Sequence, residues 1–237
     1  AAEAIGQGDY HPVLPLEQRD ELGILARDLS TMASTLEQTE QLRRELIGNM
    51  SHELRTPLSL IQGYAETIRD VSGDNKEKRD RHLGQIIEAS VRLSQMVENS
   101  LNLSKLESGV VKLALQETAL KELIDQAFAS YEVKAQNQGV VLMNEVSDRI
   151  VRIDPNLFRQ VLDNLIGNSL KFTQPAGMIG ARLEVIDKRT CLVIYDTGVG
   201  MPAELLPKLF ERFYKGEDSK GTGLGLSIVK GILDLHG

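Results

Sequence analysis

Tryptophan is absent from this 237-residue sequence, and cysteine occurs once, as Cys191. A single cysteine excludes an intrachain disulfide, so a disulfide-held fold is ruled out and a reducing compartment is expected. No apolar run reaches the roughly 18 residues that a membrane helix needs, and no signal peptide opens the sequence. The sequence therefore predicts soluble domains, compatible with a place in a longer protein.

Basic residues are fewer than acidic ones: the sequence has 27 basic and 34 acidic residues, which give a net charge of -7. Such a chain has no global electrostatic reason to bind nucleic acid or anionic lipid, so no nucleic-acid partner is predicted. Charged residues at 26% and hydrophobic residues at 41% exclude wholesale disorder. Aromatic residues at 4% favour helices packed through aliphatic side chains.

The first hundred residues carry a helical pattern of apolar residues. Leucine and methionine recur in steps of three and four from Leu22 to Leu36, which is typical of a coiled-coil or bundle seam. A second helix is predicted from Leu83 to Leu103, after a polar, glycine-containing interruption at residues 71–75. Two long helices with a short connection form an antiparallel hairpin. Alone it leaves an apolar face in water, so we predict that it dimerises into a four-helix bundle.

The composition changes near Ser108 and Gly109, where short β-like runs begin to alternate with helical patterns. Strands mixed with helices in this order predict an α/β sandwich with helices on one face of a mixed sheet. The predicted strands are residues 111–115, 140–146, 149–154, 179–186 and 190–196, and the predicted helices are residues 120–136, 155–172 and a last one from about 222.

The first chemically distinctive segment, residues 51–58, reads SHELRTPL. His52 and Thr56 lie one turn apart and share a helix face, and Pro57 is expected to bend the helix just after the histidine. A neutral imidazole is a competent nucleophile toward phosphorus, and a carboxylate such as Glu53 can orient it and accept its proton. An isolated histidine is more often a solvated side chain, but the complete octapeptide favours chemistry.

A second segment, residues 163–173, sets Asn164, Asn168 and Lys171 within roughly 60° of one another on a helix. Amide oxygens suit a hard cation such as Mg²⁺, and the ammonium would meet phosphates as a point charge. An ordinary solvated helix face explains this pattern equally well when it is taken alone. The adjoining apolar stripe is predicted to face the sheet: Phe158, Val161, Leu162 and Leu165.

Two glycine-containing segments follow. Asp196 ends a β-run before Gly198 and Gly200, where its carboxylate can accept a hydrogen bond from an exocyclic amine while the glycines let backbone approach a planar ligand; a plain Asp-Gly turn is the ordinary alternative. Residues 221–226, GTGLGL, open a helix whose N–H groups suit phosphate. Their spacing fits neither a P-loop nor a dinucleotide fingerprint.

In this order the segments resemble those of a sensor histidine kinase of bacterial two-component systems. The opening residues, including 8–10 and 20–23, resemble the second half of a HAMP signalling module, and the C-terminal half is similar to the Bergerat-fold ATPases. The resemblance covers essentially the whole chain. Its motifs are the His box at 51–58, the Asn box at 164–173, the first glycine box at 196–200, the Phe motif at 210–214 and the second glycine box at 221–226.

The resemblance implies three domains: a HAMP remnant with a coiled-coil-like signalling helix (1–37), a dimerisation and histidine phosphotransfer hairpin (38–108), and an ATP-binding α/β sandwich of the Bergerat fold (109–237). It implies a homodimer that phosphorylates itself from ATP and passes the phosphoryl group to a response regulator. It also implies the cytoplasmic portion of a bacterial inner-membrane sensor, with contact to the membrane only through upstream segments.

The resemblance also assigns roles. His52 would accept the phosphoryl group on a ring nitrogen, Glu53 would be its acid/base partner, and Thr56 would position a water for dephosphorylating the regulator. Asn168 would be the main Mg²⁺ ligand, with phosphate or metal contacts from Asn164 and Lys171. Phe172 would pack on the adenine and Asp196 would bind its amine. The glycine boxes would complete the nucleotide site: Gly198, Gly200, Gly221, Thr222, Gly223, Leu224 and Gly225.

Two features depart from the family pattern. Only seven residues, 214–220, separate Phe213 from Gly221, where the family has a longer ATP lid, and the sequence stops at 235–237, where relatives continue into a further strand pair. We expect the short lid to reflect a deletion or omitted residues, and the missing strands to expose a sheet edge.

Two other function classes stay open on the sequence. A Bergerat-type ATPase or serine kinase would use the same pocket without a phosphohistidine, and the HELRTP run at 52–57 argues against it. A catalytically silent signalling adaptor would need only the helices, and Asn168, Asp196 and the three glycines of 221–226 argue against that.

Overall fold

The computed structural model describes residues 2–11, 20–214 and 221–237. The parts of the predicted HAMP remnant at 12–19 and of the predicted lid at 215–220 lie outside these described residues. The chain forms two compact units, Ala1–Ser90 and Val91–Gly237. The helix-rich first part and the mixed α/β second part confirm the predicted fold class.

The first unit is built on one long helix. A short helix α1 spans Ala2–Gly6, and α2 runs from Glu21–Thr67 over 47 residues, with the Asp20 side chain accepting the Gly23 N–H at its start. A π-helical turn, Ile68–Ser72, and residues 73–75 lead into α3, Lys76–Glu107, which continues into the second unit. Near this connection the rings of Tyr64 and His82 stack with centroids 5.4 Å apart.

Helix α2 is continuous through Pro57, and the bend expected after His52 stays a prediction. Pro57 lies inside the helix and is buried, and α2 continues through it without interruption. The domain boundary expected between residues 37 and 38 lies within this helix and also stays a prediction. Because proline removes only one N–H, the hydrogen bonds of the turns on either side can carry a long helix across it.

The apolar seam of α2 is exposed within the single chain. Its large side chains Leu22, Leu25, Met32 and Leu36 are 44–61% exposed, whereas the small Ala26 and Ala33 are buried. On α3 the pattern is similar, with exposed side chains at Leu83, Ile87, Val91, Val97 and Leu101. One copy of the chain therefore leaves these apolar faces uncovered, as the dimer prediction requires.

The second unit is an α/β domain with two small sheets. β1 pairs antiparallel with β3, while the other sheet has the order β2-β4-β5, parallel between β2 and β4 and antiparallel between β4 and β5. Its elements are β1 (Gln116–Ala119), α4 (Leu120–Gln138), β2 (Val141–Asn144), β3 (Ile150–Ile153), α5 (Pro155–Phe172), β4 (Met178–Ile186), β5 (Arg189–Asp196), a 3₁₀ turn (Ala203–Lys208) and α6 (Gly225–His236).

The strand predicted at 111–115 is wrong, because β1 begins at Gln116 instead. The predicted segment is tied by a side chain: the Ala114 N–H donates to Oδ2 of the buried Asp154 over 2.9 Å. The other carboxylate oxygen of Asp154 accepts the N–H groups of Asn156 and Leu157 and caps α5. Apolar alternation alone therefore does not decide which residues pair with β3.

Two apolar clusters fix helix α5. Leu162, Ile166 and Leu170 face the sheets and α4, with Phe158 packed at the edge. The predicted stripe does not face the sheet as a whole, because Val161 and Leu165 belong to a second cluster with α6 and the end of α3. That second cluster is formed by Leu103, Leu106, Val161, Leu224, Ile228, Val229 and Ile232, with Val111, Leu157, Leu165, Phe213 and Leu235 packed against it.

Candidate nucleotide and phosphoacceptor sites

The predicted phosphoacceptor segment lies on α2 in the first unit. His52 and Thr56 are both exposed, one helical turn apart, and Glu53 is half-buried beside the histidine. The buried Pro57 follows directly. An exposed imidazole with a carboxylate next to it in sequence is accessible both to a phosphoryl donor and to a protein that would accept the group.

The predicted nucleotide residues lie in the second unit, where Asn164 contacts the start of α6. Its Nδ2 donates to the Gln160 carbonyl over 2.9 Å, which fixes the side-chain amide. A Cβ built on Gly225 would lie only 2.7 Å from Asn164 Oδ1. The Asn box and the second glycine box are therefore in direct contact, and only glycine permits this approach.

The end of α5 carries the other three Asn-box residues. Asn168 is half-buried one turn after Asn164. The Lys171 ammonium lies 4.9 Å from the centroid of the Phe172 ring, in cation–π geometry. Phe172 is 43% exposed, which leaves ring surface for a planar ligand. Its carbonyl oxygen accepts the Val199 N–H over 3.3 Å, so the first glycine box packs against the end of this helix.

Asp196 is exposed at the end of β5, and donors from two segments hold its carboxylate. The Gly198 N–H donates to Oδ1 over 2.9 Å, and the Ser169 hydroxyl donates to Oδ2 over 2.8 Å. A Cβ on Gly198 would lie 2.7 Å from the Phe172 carbonyl oxygen. Gly200 has φ +70°, the left-handed conformation that favours glycine.

Sequence reasoning missed Ser169. A signal was present, because Ser169 lies beside Leu170 on the apolar face of α5, where a hydroxyl requires a partner. One turn later Thr173 is also buried, and its Oγ1 has no hydrogen-bond partner among the described residues. The partner of Ser169 lies 27 positions away in the sequence, so only the fold identifies it.

The second glycine box crosses the Phe motif. Gly223 has φ +72°, and a Cβ there would lie 2.5 Å from the carbonyl carbon of Phe213, itself at φ 59°. The Leu224 N–H donates to Thr222 Oγ1 over 3.4 Å just before α6, and Leu224 is fully buried in the second cluster. Gly221 precedes this turn and is half-buried. The second glycine box is therefore packed tightly against its neighbours directly before α6 begins.

The chemistry of the side-chain donors restricts which metal this candidate site suits. In the part of the chain that the structure describes, no three His, Cys, Asp or Glu side chains cluster as a metal site. The polar stripe of Asn164, Asn168 and Lys171 on α5 offers asparagine amide oxygens, which are hard, neutral ligands. They fit a Mg²⁺ ion that takes most of its ligands from water and phosphate, and they do not fit zinc.

Three protein families match successive parts of the chain. Residues 1–38 match the HAMP domain, residues 42–109 match the His Kinase A (phospho-acceptor) domain, and residues 153–237 match the Histidine kinase-, DNA gyrase B-, and HSP90-like ATPase. The chain belongs to the sensor histidine kinases of two-component systems. Their enzyme class, protein-histidine kinase, is the one that the sequence predicted, and the phospho-acceptor match favours it over a serine kinase.

Individual histidine kinases support this assignment. Sensor histidine kinase YclK of Bacillus subtilis is 34% identical over 250 residues, which cover 100% of this chain and 52% of YclK. Histidine kinase ThkA, solved in complex with response regulator protein TrrA, matches 86% of this chain and 60% of that one with a TM-score of 0.67 and 26% identity. ShkA, solved with AMPPNP, matches 83% and 41% with a TM-score of 0.58 and 26% identity.

The chain spans about half the length of the curated histidine kinases that it matches. Within the described ranges, none of its helices combines the length and apolar composition that a membrane span requires.

Proposed function

We propose that this chain transfers the γ-phosphoryl group of ATP to His52 and then to an aspartate of a response regulator. The observation that carries the proposal is the convergence on α5 of three predicted nucleotide segments. Gly225 touches Asn164, and Asp196 binds Ser169, in the unit that includes the residues matched to the ATPase family. The phospho-acceptor family covers His52, and the AMPPNP-bound ShkA supports an adenine nucleotide as donor.

In this proposal each end of the nucleotide has its own residues. Asp196 accepts a hydrogen bond from the adenine amine, and the exposed Phe172 ring packs on the base. Lys171 and the glycines of 221–225 bind phosphate, while Asn168, assisted by Asn164, supplies amide oxygen to Mg²⁺. The ion, when bound, would neutralise phosphate charge as a Lewis acid.

The phosphoryl step uses the exposed imidazole of His52. Its unprotonated ring nitrogen attacks the γ-phosphorus, a nitrogen–phosphorus bond forms, and the phosphorus–oxygen bond to ADP breaks. The other ring nitrogen then carries a proton on a cationic ring, and Glu53 orients the ring and accepts that proton. The phosphoryl group next passes to the regulator's aspartate, a partner class supported by the ThkA–TrrA complex.

Phosphatase activity, the dimer and the domain boundaries belong to the same proposal. Thr56 positions a water for hydrolysis of the phosphorylated regulator.

The exposed seams of α2 and α3 pack against a second copy in a four-helix bundle, because burying a leucine contributes about 1.5–3 kcal/mol. The domains divide at residues 37/38 and 108/109. Sedimentation at micromolar concentration is expected to give about twice 26.2 kDa, reduced to one copy by polar substitution at Leu93 and Val97.

The test of the reaction is labelling with γ-³²P ATP followed by acid and alkali treatment. Label on wild-type protein is expected to be acid-labile and alkali-stable, as for phosphohistidine. The variant His52→Gln is expected to lose the label while keeping nucleotide affinity. His82→Gln is the matched control, because it makes the same change at the hairpin connection and keeps the label. Acid-stable label, or label on His52→Gln, would refute the phosphoacceptor assignment.

A further inference from the structure

Ser169 makes an unusual hydrogen bond for a helical hydroxyl. Thr31, Thr35, Ser51 and Thr67 each donate to the carbonyl four residues earlier in their own helix. Ser169 instead donates across the fold to Asp196 on β5, over 2.8 Å. Only 8% of the serine is exposed, whereas Asp196 is open to solvent, so the hydroxyl holds the carboxylate from its protein side.

The two protein donors divide the carboxylate between them. The Ser169 hydroxyl is bound to Oδ2 and the Gly198 N–H to Oδ1. A carboxylate has about four acceptor positions, so two remain for a ligand. Because both oxygens are held, the plane of the carboxylate is fixed before any ligand arrives, and the entropy of ordering it is not lost on binding.

We propose that Ser169 is a positioning residue that makes the nucleotide pocket selective for a 6-aminopurine. This inference rests on the proposed function, in which Asp196 accepts a hydrogen bond from the base. A carboxylate held as a pure acceptor favours an N–H donor at purine position 6. It disfavours a hydrogen atom there, which leaves the acceptor without a partner, and a carbonyl oxygen, which repels it.

Ser169 also connects the two ends of the bound nucleotide. It directly follows Asn168 on α5, the helix that carries the proposed metal and phosphate residues, while Asp196 lies on the strand proposed to bind the base. The hydrogen bond therefore fixes the carboxylate of the base-binding strand to the helix that carries the phosphate-binding groups. Loss of the hydroxyl should change base recognition and leave the phosphate contacts intact.

The test compares ATP with purine riboside 5′-triphosphate, which has hydrogen in place of the 6-amino group. Affinities of the full chain for both, with Mg²⁺, are measured by calorimetry for wild type, Ser169→Ala, Asp196→Asn and Ser227→Ala. Ser227 is the matched control, since it is equally buried and donates locally, to the carbonyl of Leu224 just before its own helix. Wild type is expected to prefer ATP by about tenfold or more.

Ser169→Ala is expected to lower that preference by about threefold to tenfold, with the affinity for purine riboside triphosphate unchanged, while Ser227→Ala keeps the wild-type preference. Equal loss of both affinities in Ser169→Ala would mean a structural role only and overturn the inference. A wild-type preference that Asp196→Asn abolishes and Ser169→Ala retains would overturn the inference and leave the proposed function standing.

No preference in wild type would instead refute the proposed adenine contact, and the role of Ser169 with it. If Ser169→Ala does not fold, Ser169→Cys replaces it. That variant keeps most of the side-chain volume with a weak donor, and the same comparison of the two nucleotides then decides.

Discussion

Gly225, the first residue of α6, lies against the side-chain oxygen of Asn164 on α5, with space for no Cβ between them: a Cβ would be 2.7 Å from Oδ1. The Asn164 amide is anchored on its other side by the Gln160 carbonyl. The two helices are therefore fixed to each other at the point where the proposed function needs both.

Gly225→Ala is expected to weaken ATP binding, because the added methyl group must displace the Asn164 side chain. A misplacement of about 1 Å can cost about a hundredfold in catalytic rate, and here we expect ATP affinity to fall by roughly tenfold or more. Gly231→Ala is the matched control on the same helix: its Cβ would meet Leu106 Cδ1 at an ordinary 3.5 Å. Calorimetry of ATP with both variants checks the prediction, which fails if the two variants bind alike.

Asn168→Asp is expected to impair nucleotide binding, although a carboxylate is a good Mg²⁺ ligand. A further negative charge about 4 Å from a polyphosphate costs about 1 kcal/mol in a water-like dielectric and several-fold more when shielded. Asn156→Asp adds the same charge at the exposed start of α5 and serves as control. ATP titrations with and without Mg²⁺ give the comparison; unchanged affinity in Asn168→Asp would remove this residue from the site.

Asp154 is expected to make the second unit acid-sensitive. Burial raises the pKa of its carboxyl group, but three backbone N–H donors and the nearby His236 outweigh burial and bring the pKa below its ordinary 3.8. A lowered folded pKa means that the stabilisation is fully present above the unfolded value and is lost as the pH falls through the folded one.

Asp154→Asn is therefore expected to lower the free energy of unfolding by about 1–2 kcal/mol at neutral pH and to reduce its decline between about pH 5 and pH 3. Asp148→Asn is the control, because that carboxylate is exposed and its Lys121 partner is 3.6 Å away. Urea unfolding across this pH range provides the measurement. Identical pH profiles for wild type and Asp154→Asn would contradict the prediction.

Gly223→Ala and Gly200→Ala separate two effects of glycine on stability. Both residues have φ near +70°, so each substitution carries the strain of a left-handed alanine, about 1 kcal/mol. A Cβ on Gly200 meets no atom within 4 Å, whereas one on Gly223 would lie 2.5 Å from the backbone of Phe213. Gly223→Ala should be clearly the less stable variant in urea unfolding. Equal losses of stability in the two variants would show that the backbone around Phe213 moves aside without an energetic cost.

Thr56→Ala separates the two proposed activities of the helical unit. Thr56 is exposed one turn from His52, where it can orient a water for a docked regulator without taking part in the attack on ATP. The variant should keep autophosphorylation and lose most of the dephosphorylation of the regulator. Thr35→Ala, on the same helix, is the control and should keep both. Parallel loss of both activities in Thr56→Ala would indicate a structural role.

Local chemistry made some elements predictable. The predicted bounds of α5, residues 155–172, agree with the structure because Asp154 caps the helix and Pro155 suits its first position. The predicted position of the first strand is wrong. Residues 111–115 have the stronger strand pattern, but β3 pairs with the polar segment Gln116–Ala119. Pairing partners are set by the tertiary fold, and β propensity does not contain that information.

Ordered glycine and asparagine motifs predicted candidate site residues, and the structure brings the Asn box and both glycine boxes into contact around α5. What the sequence could not supply were contacts between motifs. Ser169 reads as a small residue on an apolar helix face, and its acceptor Asp196 becomes visible only when β5 is laid beside α5. The apolar stripe of α5 is divided between two clusters for the same reason. Val161 packs against α6, and the periodicity of the sequence does not show which element a helix face will contact.

The unbroken course of α2 has a geometric consequence for any signal that enters at its start. Its 47 residues extend over about 70 Å and include both HAMP-matching residues and His52. Glu21 and His52 lie on the same uninterrupted helix. A rotation of the start of α2 about the helix axis therefore also rotates the His52 side chain about that axis. One residue inserted upstream would turn His52 by about 100°, whereas seven would return it to within about 20° of its original direction. The direction in which His52 points from the helix axis is thus set by the number of helical residues between the start of α2 and the histidine.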